Sequence, residues 1–193
     1  MSEPSESKVG QWLRVLRGEL ADPEPERELH EILRREAYFA LGRERPGHSL
    51  QTTSLAHEAY MRLVGSETLE LVDRAHLRRL IAKVTRQVLV DHARRKRAEK
   101  RGGDPLRVSL HDRHAEDAAV DIDTLALNQA LEQLEQLDPR AAKVVELRAF
   151  GDATAEEVAA VLSVSRATVQ SEWRFALTWL RKQLASEAGG GGA

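Results

Sequence analysis

Apolar residues recur three and four positions apart along most of the chain, and polar or Pro/Gly punctuation cuts that recurrence into helical lengths. The first seven residues, rich in Ser, Glu and Pro, are expected to be disordered. Val9, Trp12, Leu13, Leu16 and Leu20 then space as a short amphipathic helix, stopped by Asp22-Pro23-Glu24-Pro25. A second helix is predicted from about Glu26 to Leu41, burying Leu29, Ile32, Leu33 and Ala37, with Gly42 and Pro46-Gly47 ending it. A third starts within Gln51 to Ser54 and carries Leu55, Ala59 and Leu63; residues 65–71 read as a loop. Asp73 is placed to cap a long helix reaching about Lys100, apolar at Leu77, Ile81, Val84, Val88 and Ala93. The last two turns of that helix lose their apolar stripe and become almost wholly basic.

Residues 102–121 open on Gly-Gly-Asp-Pro and sustain no helical period, so a flexible linker and a domain boundary are expected there. Helical spacing resumes from Asp121 to Gln136 through Leu125, Leu127, Leu131 and Leu134. Asp138-Pro139 starts another helix in the favoured N-cap/N1 order, and Gly151 ends it. Thr154 with Glu157 forms a capping-box start, and Ser163-Val164-Ser165 interrupts a pair of short helices. In the second of these, Val169, Trp173, Ala176, Leu177, Leu180 and Leu184 share one face. Ser163 stands where a glycine would be at ease, at a cost of about 1 kcal/mol if its φ is positive. The expected fold is all-α. A helical domain over 8–101 and a winged-helix-like helix-turn-helix domain of three to four helices over 122–185 are joined by the linker, and 186–193 form a flexible tail.

Composition narrows the class. Hydrophobic residues make up 41% and charged residues 31%, enough for helical cores with a solvated surface, whereas 4% aromatics and short β-branched runs argue against a large sheet. The absence of cysteine excludes disulfides, thiolate metal sites and cysteine nucleophiles, and fits a cytoplasmic location. No apolar run reaches membrane-span length, and the acidic N-terminus is not a signal peptide.

The net charge of −2 conceals an asymmetry that changes the picture. Residues 74–101 hold eleven Lys/Arg against Asp91 and Glu99, a local +9 that leaves −11 for the rest of the chain. Phosphate binding follows local charge and counterion release, so this segment points to nucleic acid whatever the overall balance. The predicted recognition helix adds Ser165, Arg166, Thr168, Gln170, Ser171 and Arg174 on its polar face. Its free N-terminal amides suit a phosphate, Arg166 and Arg174 suit a backbone or a guanine edge, Gln170 an adenine, and Thr168 a thymine methyl.

Catalytic chemistry finds no support. His57-Glu58 begins like a zinc-protease helix, but the second histidine would fall at residue 61, which is Met61. His111 and His114 have a ligand-like spacing without any cysteine, and Gly102-Gly103-Asp104 lacks the Lys-Ser/Thr of a phosphate loop. No Ser-His-Asp set or carboxylate pair can be assigned to a common scaffold. No enzyme activity, metal or cofactor is expected.

Three blocks carry a resemblance: Arg43-Glu44-Arg45-Pro46-Gly47-His48, His57-Glu58-Ala59-Tyr60-Met61-Arg62-Leu63 and Leu89-Val90-Asp91-His92-Ala93-Arg94-Arg95. With the helix-turn-helix after them, in this order and spacing, the chain over about residues 10–185 resembles an RNA polymerase sigma factor of the extracytoplasmic-function type. The resemblance implies a first domain that binds the polymerase clamp and opens the −10 promoter element, and a second that binds the flap and reads the −35 element. It implies clamp contact by Leu55, His57, Glu58, Met61 and Arg62. It implies −10 contact by His76, Arg79, Lys83, Arg86, Gln87, Arg94, Arg95 and Arg97, and −35 contact by the six recognition-helix residues. The partners implied are core polymerase, duplex promoter DNA and its melted strand, with an anti-sigma factor as a further candidate.

Departures from the family's pattern are local. Ser54 replaces an acidic residue, Gln87 stands where Asn is usual, and Ala75-His76-Leu77 replaces a stretch in which aromatics often trap unstacked bases. Two other readings stay open on the sequence: a stand-alone helix-turn-helix regulator, and a sigma-like interaction protein that binds without melting promoters.

Overall fold

A computed structural model describes residues 7–41, 51–64, 74–99, 105–110, 120–151 and 153–189. Among these, eight helices follow in the order α1 (Lys8–Leu16), α2 (Pro23–Ala40), α3 (Thr52–Val64), α4 (Arg74–Glu99), α5 (Thr124–Leu137), α6 (Pro139–Phe150), α7 (Ala155–Leu162) and α8 (Arg166–Gly189). Two short strands, β1 (Arg107–Leu110) and β2 (Val120–Asp123), separate α4 from α5. The all-α expectation holds. The Arg43–His48 block, the 65–71 loop, the Asp73 cap, Gly102-Gly103-Asp104, His111 and His114 lie outside the described residues, as do residues 1–6.

Helix boundaries follow from the caps. Asp138 Oδ1 accepts from the amides of Arg140 and Ala141 at 3.1 and 3.0 Å, with Pro139 at the first helical position, as the sequence predicts. The same device corrects the second helix: Asp22 Oδ1 accepts from Glu24 N at 3.0 Å, so Pro23 and Pro25 begin α2 and are part of it. The first helix ends earlier than its apolar spacing suggests. Gly18 takes φ +71° and turns the chain back, with Gly18 N bonded to Val15 O and Glu19 N to Arg14 O, so Leu20 lies outside the helix. Ser7, expected to be disordered, is ordered as its N-cap, accepting from Gly10 N at 3.2 Å.

Two expectations for the second half of the chain are corrected. The described part of the presumed flexible linker is an antiparallel pair in which Val108 faces Ile122 and Arg107 faces Asp123. Leu106, Val108 and Ile122 are buried, and β1 packs on α2 and α6. Polar residues around three alternating apolar positions hid this strand pattern. The fifth helix consequently starts at Thr124, capped by Asp123, not at Asp121. The tail is helical further than expected, since α8 runs through Gly189 and includes residues 186–189. No strand follows α8 among the described residues, so the expected resemblance to a winged helix is not seen.

The core runs without a break through α1–α4 and α5–α8. Helix α4 lies against α5, α6 and α7 as well as α2 and α3. Where α4 meets the end of α6, a Cβ added to Gly151 would meet Leu147 O at 2.8 Å and Ala82 Cβ at 3.0 Å. Only glycine fits there without a shift of α4 or α6.

Candidate nucleic-acid interface

Helices α7 and α8 are joined by Ser163-Val164-Ser165. Thr154 Oγ1 accepts from Glu157 N at 3.2 Å while Glu157 Oε2 accepts from Thr154 N at 2.9 Å, completing the predicted capping box. Helix α7 closes with Ser163 in the left-handed region (φ 55°, ψ 43°), Val164 N reaching Ala159 O at 3.0 Å and Ser163 N reaching Ala160 O at 3.4 Å. Ser165 Oγ then accepts from Thr168 N at 3.0 Å and starts α8.

The two faces of α8 are sharply different. Val169, Trp173, Ala176 and Leu180 are all buried, each large apolar side chain contributing about 1.5–3 kcal/mol. Arg166, Gln170, Ser171 and Arg174 are exposed on the opposite side, while Thr168 is half-buried with its hydroxyl 2.8 Å from that of Ser165. The helix is held on its flanks. Arg140 of α6 donates through Nε to Glu172 at 2.9 Å, and the Arg148 guanidinium lies 4.5 Å from the Trp173 ring centroid. Arg166 pairs with Glu156 at 2.9 Å. Phe175 is an exposed aromatic beside Arg174, which sequence reasoning missed. Its position off the apolar stripe was the available signal.

Helix α4 distributes its predicted contacts unequally. At its basic end Arg94, Arg95 and Arg97 are exposed, as are Lys83 and Gln87 further back. Arg95 reaches Glu58 at 3.1 Å, and Arg94 lies 3.8 Å from Asp91. Nearer the start, His76 is half-buried. Arg79 donates to Val161 O at 3.2 Å and Arg78 to Glu157 at 2.5 Å. Arg86 is turned toward the second half. Its Nε donates to Asn128 Oδ1 at 3.0 Å, Nη1 to Glu146 Oε1 at 3.3 Å and Nη2 to Asn128 O at 3.4 Å. In this arrangement Arg79 and Arg86 hold protein acceptors. Sequence reasoning missed Val161 O as the partner of Arg79 and Asn128 and Glu146 as the partners of Arg86, although an amide between Leu127 and Leu131 was a visible irregularity.

The expected polymerase face on α3 separates similarly. Leu55 is completely buried and belongs to the core, so it is withdrawn from any partner in this conformation. His57 and Met61 are exposed, Met61 at 54%. Glu58 and Arg62 join the two recurrent sequence blocks in space, with Arg62 Nη2 lying 2.9 Å from Asp91 and 3.5 Å from Glu58. Burial first, and then the Arg95 guanidinium, lowers the His92 pKa below the ordinary imidazole value. Tyr60 stacks on His30 at 4.1 Å between ring centroids and donates to Glu26 at 3.2 Å; burial, then that carboxylate, raises its phenol above the usual value.

Among the described residues no His, Asp or Glu group is arranged to hold a metal ion, and no helix is long and apolar enough to cross a membrane. No curated protein and no solved structure matches the chain. A family model described as ECF sigma factor matches residues 7–186, covering both helical halves and the β pair between them. With its capped helix-turn-helix and basic α4, the chain therefore belongs to the ECF sigma factor family and serves as a sigma factor in transcription initiation.

Proposed function

We propose that this sigma factor binds core RNA polymerase through the exposed residues of α3, reads a −35 element with α8 and engages the −10 element with α4. Its work is binding and placement, without catalysis of its own. The single observation that carries this reading is the division of α8. One face is locked into the core by Val169, Trp173, Ala176 and Leu180, and the other offers Arg166, Gln170, Ser171 and Arg174 from a capped N-terminus. Guanidinium and amide groups at one-turn spacing suit phosphates and base edges, and the rigid back sets their register. His57, Glu58, Met61 and Arg62 supply a mixed apolar and charged surface for the clamp, and the α6–α8 half is proposed to meet the flap.

The test combines the purified chain with core polymerase on a promoter library and scores run-off transcripts together with open-complex formation. Transcription from a defined subset of promoters, without another initiation factor, is expected. Failure to associate with core polymerase would overturn the reading. A second reading, binding without strand opening, draws on His76 standing where stronger stacking side chains are usual. It requires polymerase association with closed complexes only.

A further inference from the structure

We propose that the groove between α1, α2 and the start of α3 is a binding site for a small aromatic carboxylate. The groove has a volume of about 780 Å³ and is open to solvent, a size typical of small-molecule sites. It shares no residue with the surfaces proposed for DNA or polymerase, so it goes beyond that reading and can fail or hold apart from it.

Two buried polar side chains carry the argument. Trp12 and Thr52, 4% and 5% exposed, both line the groove. Trp12 Nε1 and Thr52 Oγ1 are out of reach of solvent and hydrogen-bond to nothing among the described residues. An indole N–H can only donate, and a buried donor left unmet is rare in a folded protein. Thr52 also opens α3, whose first amides have no acceptor within the helix, so that end of the groove favours negative charge. Because solvent does not touch the two atoms as the groove stands, a ligand meets them by turning the Trp12 or Thr52 side chain. Its binding is therefore readable at the indole N–H.

The remaining walls set the charge and shape of the ligand. Lys8, Arg34 and Arg35 supply three positive charges against Glu28 and Glu31, a surplus of one. Lys8 is tied to Glu28 at 2.6 Å and Arg35 lies 3.7 Å from Glu36, while Arg34 is exposed at the rim. That balance suits a monoanion, whereas a dianion meets the carboxylates uncompensated. A carboxylate can take two parallel bonds from one guanidinium. Ile32 and the edge-to-face pair of Tyr38 and Phe39, with ring centroids 5.5 Å apart, supply the apolar wall for a flat ring. A bound acid ties α1 and the first turn of α3 to α2, so the thermal midpoint rises with its concentration.

The full chain is titrated with naphthoate while its three indole N–H resonances are followed by heteronuclear NMR. Trp12→Phe identifies the Trp12 signal by its loss. A saturable shift of that signal is expected. Its half-saturation lies about tenfold or more below that of naphthalenemethanol, which lacks the charge, and of naphthyl phosphate, which carries two. Acetate, which lacks the ring, leaves the signal unmoved over the same range. Arg34→Gln with Arg35→Gln, and separately Thr52→Val, are each expected to weaken naphthoate binding about tenfold. Arg17→Gln with Arg27→Gln, an equal charge change on exposed positions outside the groove, is expected to stay within about twofold. A Trp12 signal unmoved at about 10 mM naphthoate overturns the proposal. So do equal half-saturations for the acid and the alcohol, tighter binding of the phosphate, the same shift with acetate, or equal losses in the two arginine pairs. Should Trp12→Phe lose its helical circular dichroism, its signal is identified by elimination with Trp173→Phe and Trp179→Phe, and the surface arginine pair decides.

Discussion

Arg78 and Glu157, seventy-nine positions apart, meet at 2.5 Å, and the same Glu157 closes the capping box of α7 with its other oxygen. One carboxylate therefore starts the helix-turn-helix and fastens it to α4. Glu157→Ala removes both functions and leaves the largely buried Arg78, among the described residues, with the longer bond to Gly151 O, so a loss of about 2–3 kcal/mol in urea unfolding is expected. Glu157→Gln keeps an oxygen for the Thr154 amide and loses the charge, so it is expected to cost about half as much. Equal losses for the two variants would show that the cap contributes nothing measurable.

Ser163 holds φ 55° at the turn between α7 and α8, a conformation that disfavours any residue with a Cβ. Ser163→Gly is expected to stabilise the chain by about 0.5–1 kcal/mol, the relieved strain being offset in part by the larger unfolded-state entropy of glycine. Ser163→Val is expected to destabilise by more than 1 kcal/mol, roughly, because a β-branched side chain tolerates the left-handed region least. A thermal midpoint that falls for the glycine variant would contradict this account.

What the sequence made legible follows from the range of the interactions involved. Caps at Asp138, Thr154 and Ser165 are set within three residues, and each was readable as a local pattern. The buried faces of α4 and α8 were readable because a helical stripe is periodic. The destination of Arg86 was not, since its partners Asn128 and Glu146 are brought to it only by the packing of α5 and α6 on α4. Charge density identified α4 as basic but could not separate cations that hold the fold together from those that remain exposed, such as Arg97. The pairing of Val108 with Ile122 escaped for the same reason, being a contact between short segments with too few residues to show alternation.

The lowered His92 pKa carries a sign for stability against pH. The folded chain holds this proton less tightly than the unfolded chain, whose imidazole titrates near the ordinary value of 6.5. The favourable contribution is complete above that value and is lost as pH falls through the lowered folded value. His92→Gln is expected to flatten the decline of stability in that interval, read from denaturant midpoints between about pH 7 and pH 5. An unchanged slope would mean that the imidazole is equally accessible to protons in both states.

The basic end of α4 gives a prediction that separates its cations from one another. Arg97 is exposed, Arg95 shares Glu58 at 3.1 Å, and Arg86 is engaged through three donor nitrogens. Each phosphate neutralised adds about 0.9 to the slope of log affinity against log salt for duplex DNA, and about 0.7 for a single strand. Arg97→Gln is therefore expected to reduce the slope by close to one contact, roughly 0.7–0.9. Arg95→Gln is expected to reduce it by less, because Glu58 already neutralises part of that charge in the free chain and its release offsets the gain. Arg86→Gln measured on the isolated chain is expected to leave the slope nearly unaltered while lowering unfolding stability by about 2–4 kcal/mol, since it strips a partner from buried Glu146. A slope change for Arg86 as large as that for Arg97 would place its guanidinium on phosphate already in the free chain, and the distinction between structural and DNA-facing cations along α4 would be lost.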